Sequence, residues 1–193
     1  LADLRLCLAE AWLAINLGLP DDAERWLDAA EACEGAWGDP QLEASRIAAR
    51  SLTRLLAGDA PEALRFGLEA LTVTEGDETW WRAAGCLAAG IALHASERMA
   101  ESYPILEECA EVGRRTGAWS PALVALCHLA HQDIERGDLE SAERRAREAL
   151  AYADEESHAE YPHAAGGHSG LAQVLGARGL LDEAQAHADR GAE

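Results

Sequence analysis

The sequence predicts an all-α fold, a right-handed superhelix of about five stacked helical hairpins (an α-solenoid), on three observations. The first is an internal repeat. The units Gly18-Leu-Pro-Asp-Asp-Ala23, Gly58-Asp-Ala-Pro-Glu-Ala63, Glu97-Arg-Met-Ala-Glu-Ser102, Gly137-Asp-Leu-Glu-Ser-Ala142 and Gly179-Leu-Leu-Asp-Glu-Ala184 begin 40, 39, 40 and 42 residues apart. A period in this range marks arrays in which each unit buries its apolar face against its neighbours. The second is apolar spacing of three to four residues on both sides of the turns, the mark of amphipathic helices. The third is that no stretch alternates with period two for long enough to make a strand.

Each recurring unit reads as the hinge of a hairpin. Glycine at its first place supplies the left-handed backbone that ends a helix. The acids after it suit the start of the next helix, and the small residue five places on lets two helices approach closely. In the first repeat Leu8, Ala11, Trp12, Ile15 and Leu17 precede the turn, while Ala23, Trp26, Leu27 and Ala30 follow it. The second runs from about Pro40 to Val73, with Asp39-Pro40 opening one helix and Ala60-Pro61 the other. The third is irregular. Glu97 replaces Gly and Ser102 replaces Ala, which predicts a longer or looser hinge, and Pro104 is placed in a first helical turn. In the fourth, Ser120-Pro121 begins a helix reaching about Arg136, and its partner from Leu139 to Ala153 carries the pairs Glu140 with Arg144 and Glu143 with Arg147. A polar surface loop is expected over 154–160, and the fifth repeat from about Tyr161 to Gly191. The whole of 1–193 reads as one domain with repeats near 1–38, 39–76, 77–118, 119–157 and 158–193. Starting at Leu1 and ending in a helical pattern, it reads as a piece of a longer protein.

Hydrophobic residues make up 49% of the 193, enough for a continuous core. No apolar run approaches the roughly 18–20 residues needed to cross a bilayer, so no membrane association is expected. The net charge is −19, with 35 acids against 16 basic residues, all of them Arg. Binding to nucleic acid rests on cationic contacts with phosphate, so direct contact with DNA is not expected of this segment. Five cysteines at wide spacings without Cys-x-x-Cys fit neither a disulfide framework nor a zinc ribbon. They read as small apolar residues in a cytoplasmic setting.

The spacing Gly18, Ala23, Leu27, Ala30 and Gly137, Ala142, Ala146, Ala149 resembles the tetratricopeptide (TPR) signature, whose ordinary period is about 34 residues. The longer period here, with Gly-Leu-Ala-Gln-Val-Leu-Gly-Ala-Arg-Gly-Leu-Leu-Asp-Glu-Ala inside the segment from Tyr161 to Glu193, looks like the helical-repeat region of MalT-like, LuxR-family bacterial transcriptional regulators. That resemblance implies inducer sensing or partner-protein contact that controls flanking modules. DNA binding would then belong to a C-terminal helix-turn-helix, and the nucleotide-binding module would also lie outside, since no Gly-x-x-x-x-Gly-Lys-Ser/Thr occurs.

Candidate groups are weighed against helix packing. Cys127, His128 and His131 share a helix side and would make half of a metal site, but no partner pair of the zincin type stands near in sequence. His163 and His168 lie among Gly166, Gly167 and Gly170, which either allow close packing or open the backbone to a ligand. The six Trp either wedge between repeats or stack on a ligand. No nucleophile sits in a recognisable turn motif, so no catalytic residue, cofactor or metal is assigned and an enzyme is not expected.

Aligning on the turns sharpens the site. In a TPR-like hairpin the first helix lines the concave face. Six residues before each turn stand Trp12, Leu52, Ile91, His131 and Gln173, and three before it Ile15, Leu55, His94, Ile134 and Gly176. The expected ligand or partner groove is therefore apolar at its centre, with Trp12, Leu52, Ile91, His94, His131 and Gln173 as its working residues. A mixed lining of this type suits a small organic inducer or an amphipathic peptide of a protein partner. A scaffold that binds proteins and no small ligand is the alternative.

Overall fold

The computed structural model describes residues 2–33, 39–155 and 163–192. Among them lie ten helices and no strand: α1 Ala2–Asn16, α2 Pro20–Glu31, α3 Pro40–Leu56, α4 Ala60–Val73, α5 Trp80–Ala95, α6 Met99–Thr116, α7 Trp119–Glu135, α8 Leu139–Glu155, α9 Ala164–Ala177 and α10 Leu181–Ala192. They pair into five hairpins about the five recurring units. The all-α hairpin repeat is therefore the fold. No helix among the described residues is long and apolar enough to cross a membrane. Trp37 and residues 156–160 of the expected loop lie outside the described residues. Asp154 and Glu155 belong to α8 and not to a loop.

All five hinges close by one geometry. Gly18, Gly58, Gly137 and Gly179 take φ between 68° and 80°. The amide after each donates to the carbonyl five residues earlier: Leu19 to Ala14, Asp59 to Arg54, Asp138 to Asp133 and Leu180 to Leu175, at 2.8–3.0 Å. This satisfies carbonyls that a helix end leaves open. The third hinge is no longer than the others, against the expectation of a longer one. Glu97 takes φ 59°, and Arg98 donates to Leu93 at 2.9 Å as in the other four. The backbone pattern overrides the preference of the residue, which bears a left-handed strain of about 1 kcal/mol. Replacing Glu97 by Gly is accordingly expected to stabilise the protein by about 0.5–1 kcal/mol in chemical denaturation. A destabilised variant would refute strain at this hinge.

Pro104 also departs from its expected first-turn place: it is the sixth residue of α6. Pro104 and Ala100 are both exposed, so the carbonyl that loses its helical partner can turn to water. The helix N-termini lie closer to expectation. Asp39 accepts from the Gln41 amide at 3.0 Å ahead of Pro40, and Asp59, one residue earlier than expected, accepts from Glu62 at 3.3 Å. The Glu143–Arg147 pair forms at 2.8 Å, while Arg144 donates to Ser141 Oγ.

In four of the five units the small residue is fully buried: Ala23, Ala63, Ser102 and Ala142. The Ser102 hydroxyl donates to the Gly90 carbonyl on α5 at 2.7 Å. Glycines set other close approaches. A Cβ on Gly67 would stand 3.0 Å from Ala89 Cα, and one on Gly166 3.0 Å from Cys127 Sγ. The Gly166, Gly167 and Gly170 stretch is thus committed to packing against Cys127 of α7 and Leu150 and Ala146 of α8.

The chain divides into two compact units, Leu1–Ile105 and Leu106–Glu193. In the first, Leu4, Leu8, Ala11, Leu27, Leu42 and Ala49 form a core flanked by Trp12, Ile15 and Trp26. An ion network clips α2 to α3. Arg46, Arg50 and Arg54 recur every four residues on α3 and face Glu24, Asp28 and Glu31 on α2. In the second unit Ala130, Ala146, Leu171 and Leu175 form a core cluster. Nearly buried Asp133 on α7 meets Arg145 of α8 at 3.3 Å, and Arg145 also reaches Glu107 of α6 at 2.5 Å.

Candidate functional site

First helices of successive hairpins line one cleft in each unit. In the first, a cleft of about 360 Å³ lies among Leu8 and Trp12 of α1, Leu42 and Ser45 of α3, and Trp81 of α5. Arg5 and Asp39 stand at its rim, 3.8 Å apart. The indole N–H of Trp12 donates to Ser45 Oγ at 3.0 Å, and the Trp12 ring meets Trp80 edge to face with centroids 5.5 Å apart. Trp80 and Trp81 are themselves edge to face at 4.8 Å. Trp12 therefore wedges between helices with its N–H satisfied, and Trp80 packs edge to face against it. Trp81 lines the cleft beside Trp12. Trp119 is the first residue of α7.

In the second unit a cleft of about 290 Å³ lies between α7 and α9, lined by His128, His131, Ser169 and Gln173 about Cys127, Gly166 and Gly170. His131 Nε2 lies 3.3 Å from Glu135 Oε1 on the same helix face, and Gln173 donates to Ser169 Oγ at 3.4 Å. Cys127 donates to the His163 carbonyl at 3.7 Å, and burial pushes its thiol up to about 12. A thiol raised this far carries little thiolate at neutral pH. Burial also lowers His163, and raises Cys7 beside Cys33. Among the described residues no three His, Cys, Asp or Glu side chains converge as a metal site would require.

Of the residues singled out in the sequence, His131 and Gln173 line one cleft and Trp12 the other. Leu52 and Ile91 are 8% and 9% exposed and belong mostly to the interior. His94 is half-buried in the last turn of α5. The turn alignment missed Leu8, Ser45, Ser169 and Trp81. The first three lie one or two helical turns before the aligned position, where the same helix face continues. A three-to-four spacing carried back toward each N-terminus would have found them.

A family model describing the MalT-like TPR region matches residues 46–193. The chain belongs to the MalT-like TPR family. Among solved structures this TPR region resembles BtubC (BKLC) from P. vanneervenii, with a TM-score of 0.68 and 16% identity over 97% of this chain and 89% of that one. It also resembles a kinesin light chain of Podosopora anserina with nearly identical TPR-like repeats, in two crystal structures. Their TM-scores are 0.67 and 0.65 at 17% identity, over 97% of this chain and 92% of theirs. At such identities the likeness shows the fold alone. No curated protein matches the sequence. A TPR-like fold of this kind suggests a scaffold for protein partners.

Proposed function

We propose that this chain is the sensing and partner-binding region of a LuxR-family, MalT-like regulator, and that its first-helix clefts receive the ligand. The observation that carries this reading is the second-unit cleft, where His128, His131, Ser169 and Gln173 offer donors and acceptors around apolar and glycine positions. A cleft with a few convergent polar groups on an apolar surface binds an amphipathic peptide or a modest organic molecule. The Trp81 face and the Arg5 and Asp39 charges give the first-unit cleft the same mixture. Flanking modules would carry nucleotide and DNA binding. Occupancy regulates them only if the ligand binds two arrangements of the repeats with different free energies.

The test is calorimetry and thermal shift of the purified chain against sugars, nucleotides and acyl compounds, repeated with His131→Ala and Gln173→Ala. A hit weakened about tenfold or more by either substitution supports an inducer site, since a lost buried hydrogen bond to a ligand is worth about 1–3 kcal/mol. Silence across the panel removes the inducer and leaves the protein-binding scaffold. That second reading draws on the small volume of both clefts, which are open to solvent rather than enclosed.

A further inference from the structure

Helix α10 packs against α9 without burying any of its own residues. Ala184 packs beside the Leu171 and Leu175 cluster, and Gly191 approaches α9, where a Cβ would stand 3.4 Å from His168 Cβ and from the Ala165 carbonyl. Between these two points His168 Nδ1 of α9 and His187 Nδ1 of α10 lie 2.9 Å apart, with ring centroids 5.2 Å apart. At that distance one Nδ1–H donates to the lone pair of the other. One proton therefore sits in the bridge.

The bridge tolerates one further proton, placed on an outer Nε2 with the Nδ1–H···Nδ1 bond intact. A second requires N–H groups on both facing nitrogens. The bond is then lost and two like charges confront each other across it. The neighbouring charges are Arg147 and Asp154 from α8, and Glu183 and Arg190 from α10. From α7, Cys127 and Ala130 meet α9 at Gly166 and Gly170, while His128 and His131 face Ser169 and Gln173 across the cleft. We propose that the α9–α10 hairpin is an acid-sensitive element, in which double protonation of the His168–His187 pair releases α10 from α9.

Burial first, then Arg190, lowers the His168 pKa against the opposing pull of Asp154. Burial first, then Arg190, His168 and Arg147, lowers that of His187 against Glu183. The folded pair thus binds fewer protons than the unfolded chain. Its contribution is complete above the unfolded histidine value of about 6.5 and is lost as pH falls below it. Release withdraws Ala184 from the cluster of Leu171 and Leu175, which are 1–2% exposed, and so opens apolar surface at acid pH.

Hydrogen exchange read by mass spectrometry tests this on the full chain. Between about pH 7.5 and 5.5, protection of residues 181–192, corrected for intrinsic exchange, is expected to fall about tenfold more than that of α8. With His168→Gln and His187→Gln together, the excess loss in α10 should disappear. A wild-type α10 whose protection does not change with pH, or a double variant as acid-sensitive as the wild type, overturns the proposal. Should the double variant fail to fold, imidazole resonances of the wild type decide. The proposal requires two coupled steps below the ordinary value, the second clearly lower. Two independent steps near about 6.5 refute it.

Discussion

Replacing Arg50 with methionine is expected to destabilise the protein by about 2–3 kcal/mol, seen as a fall of roughly 5–10 °C in the thermal midpoint of the chain. The guanidinium is 7% exposed and meets Glu24 at 2.5 Å, Asp28 at 3.2 Å and Glu31 at 2.8 Å. Burial pulls its pKa down, but Glu24, Glu31 and Asp28 outweigh burial and hold it above its ordinary range. Removing one member of a buried ion network usually costs about 3–5 kcal/mol, because the partners keep charges they can no longer share. Here Asp28 and Glu31 are 65% and 47% exposed and recover water, which brings the figure down. Lysine should rescue only in part, since one ammonium lacks the planar fork that spans three carboxylates. Arg65→Met is the control. Arg65 pairs with Glu62 and Glu69 on the exposed face of α4, and its loss should leave the midpoint nearly unchanged.

The second large effect is at Gly113, near the end of α6. A Cβ there would lie 2.7 Å from Ala122 Cβ, 2.9 Å from the Ala118 carbonyl and 3.2 Å from the Ala122 amide. All three belong to the Ala118–Ala122 segment at the start of α7, which is tied back to Gly113 by the Ala118 amide at 2.8 Å. No flexible side-chain tip can move aside. Gly113→Ala is therefore expected to cost about 2–3 kcal/mol by overpacking, although alanine gains about 1 kcal/mol of helix propensity. Gly176→Ala, where the nearest atom is 4.0 Å away, should instead stabilise by about 0.5–1 kcal/mol. Equal effects at the two glycines in urea titration would show that packing does not distinguish them.

Local chemistry is what the sequence made legible. Four hinge glycines, the Asp39-Pro40 start and the buried alanines all follow from short-range rules, and all recur in the structure. Glu97 misled because residue preference is weaker than the hydrogen-bond pattern closing the hinge. Pro104 misled because an exposed carbonyl makes an interior proline tolerable. The site was half legible. Aligning on the turns brings His131 and Gln173 to one cleft, yet places Leu52 and Ile91 where they are nearly buried. In the first unit the cleft drifts along its helices from Trp12 to Ser45 to Trp81, a stagger that a fixed offset cannot express. Pairings such as Arg50 with three α2 acids, or His168 with His187, depend on which helix faces meet, and repeat spacing does not carry that.

Photo-crosslinking in cells tests recognition through the first helices most directly. A benzoylphenylalanine at Gln173, on the cleft, is compared with one at Arg144, on the exposed side of α8. The account predicts that Gln173 captures one defined ligand or partner segment, competed away by excess free ligand, while Arg144 does not. Capture from Arg144 with none from Gln173 would place recognition on the second helices and contradict it.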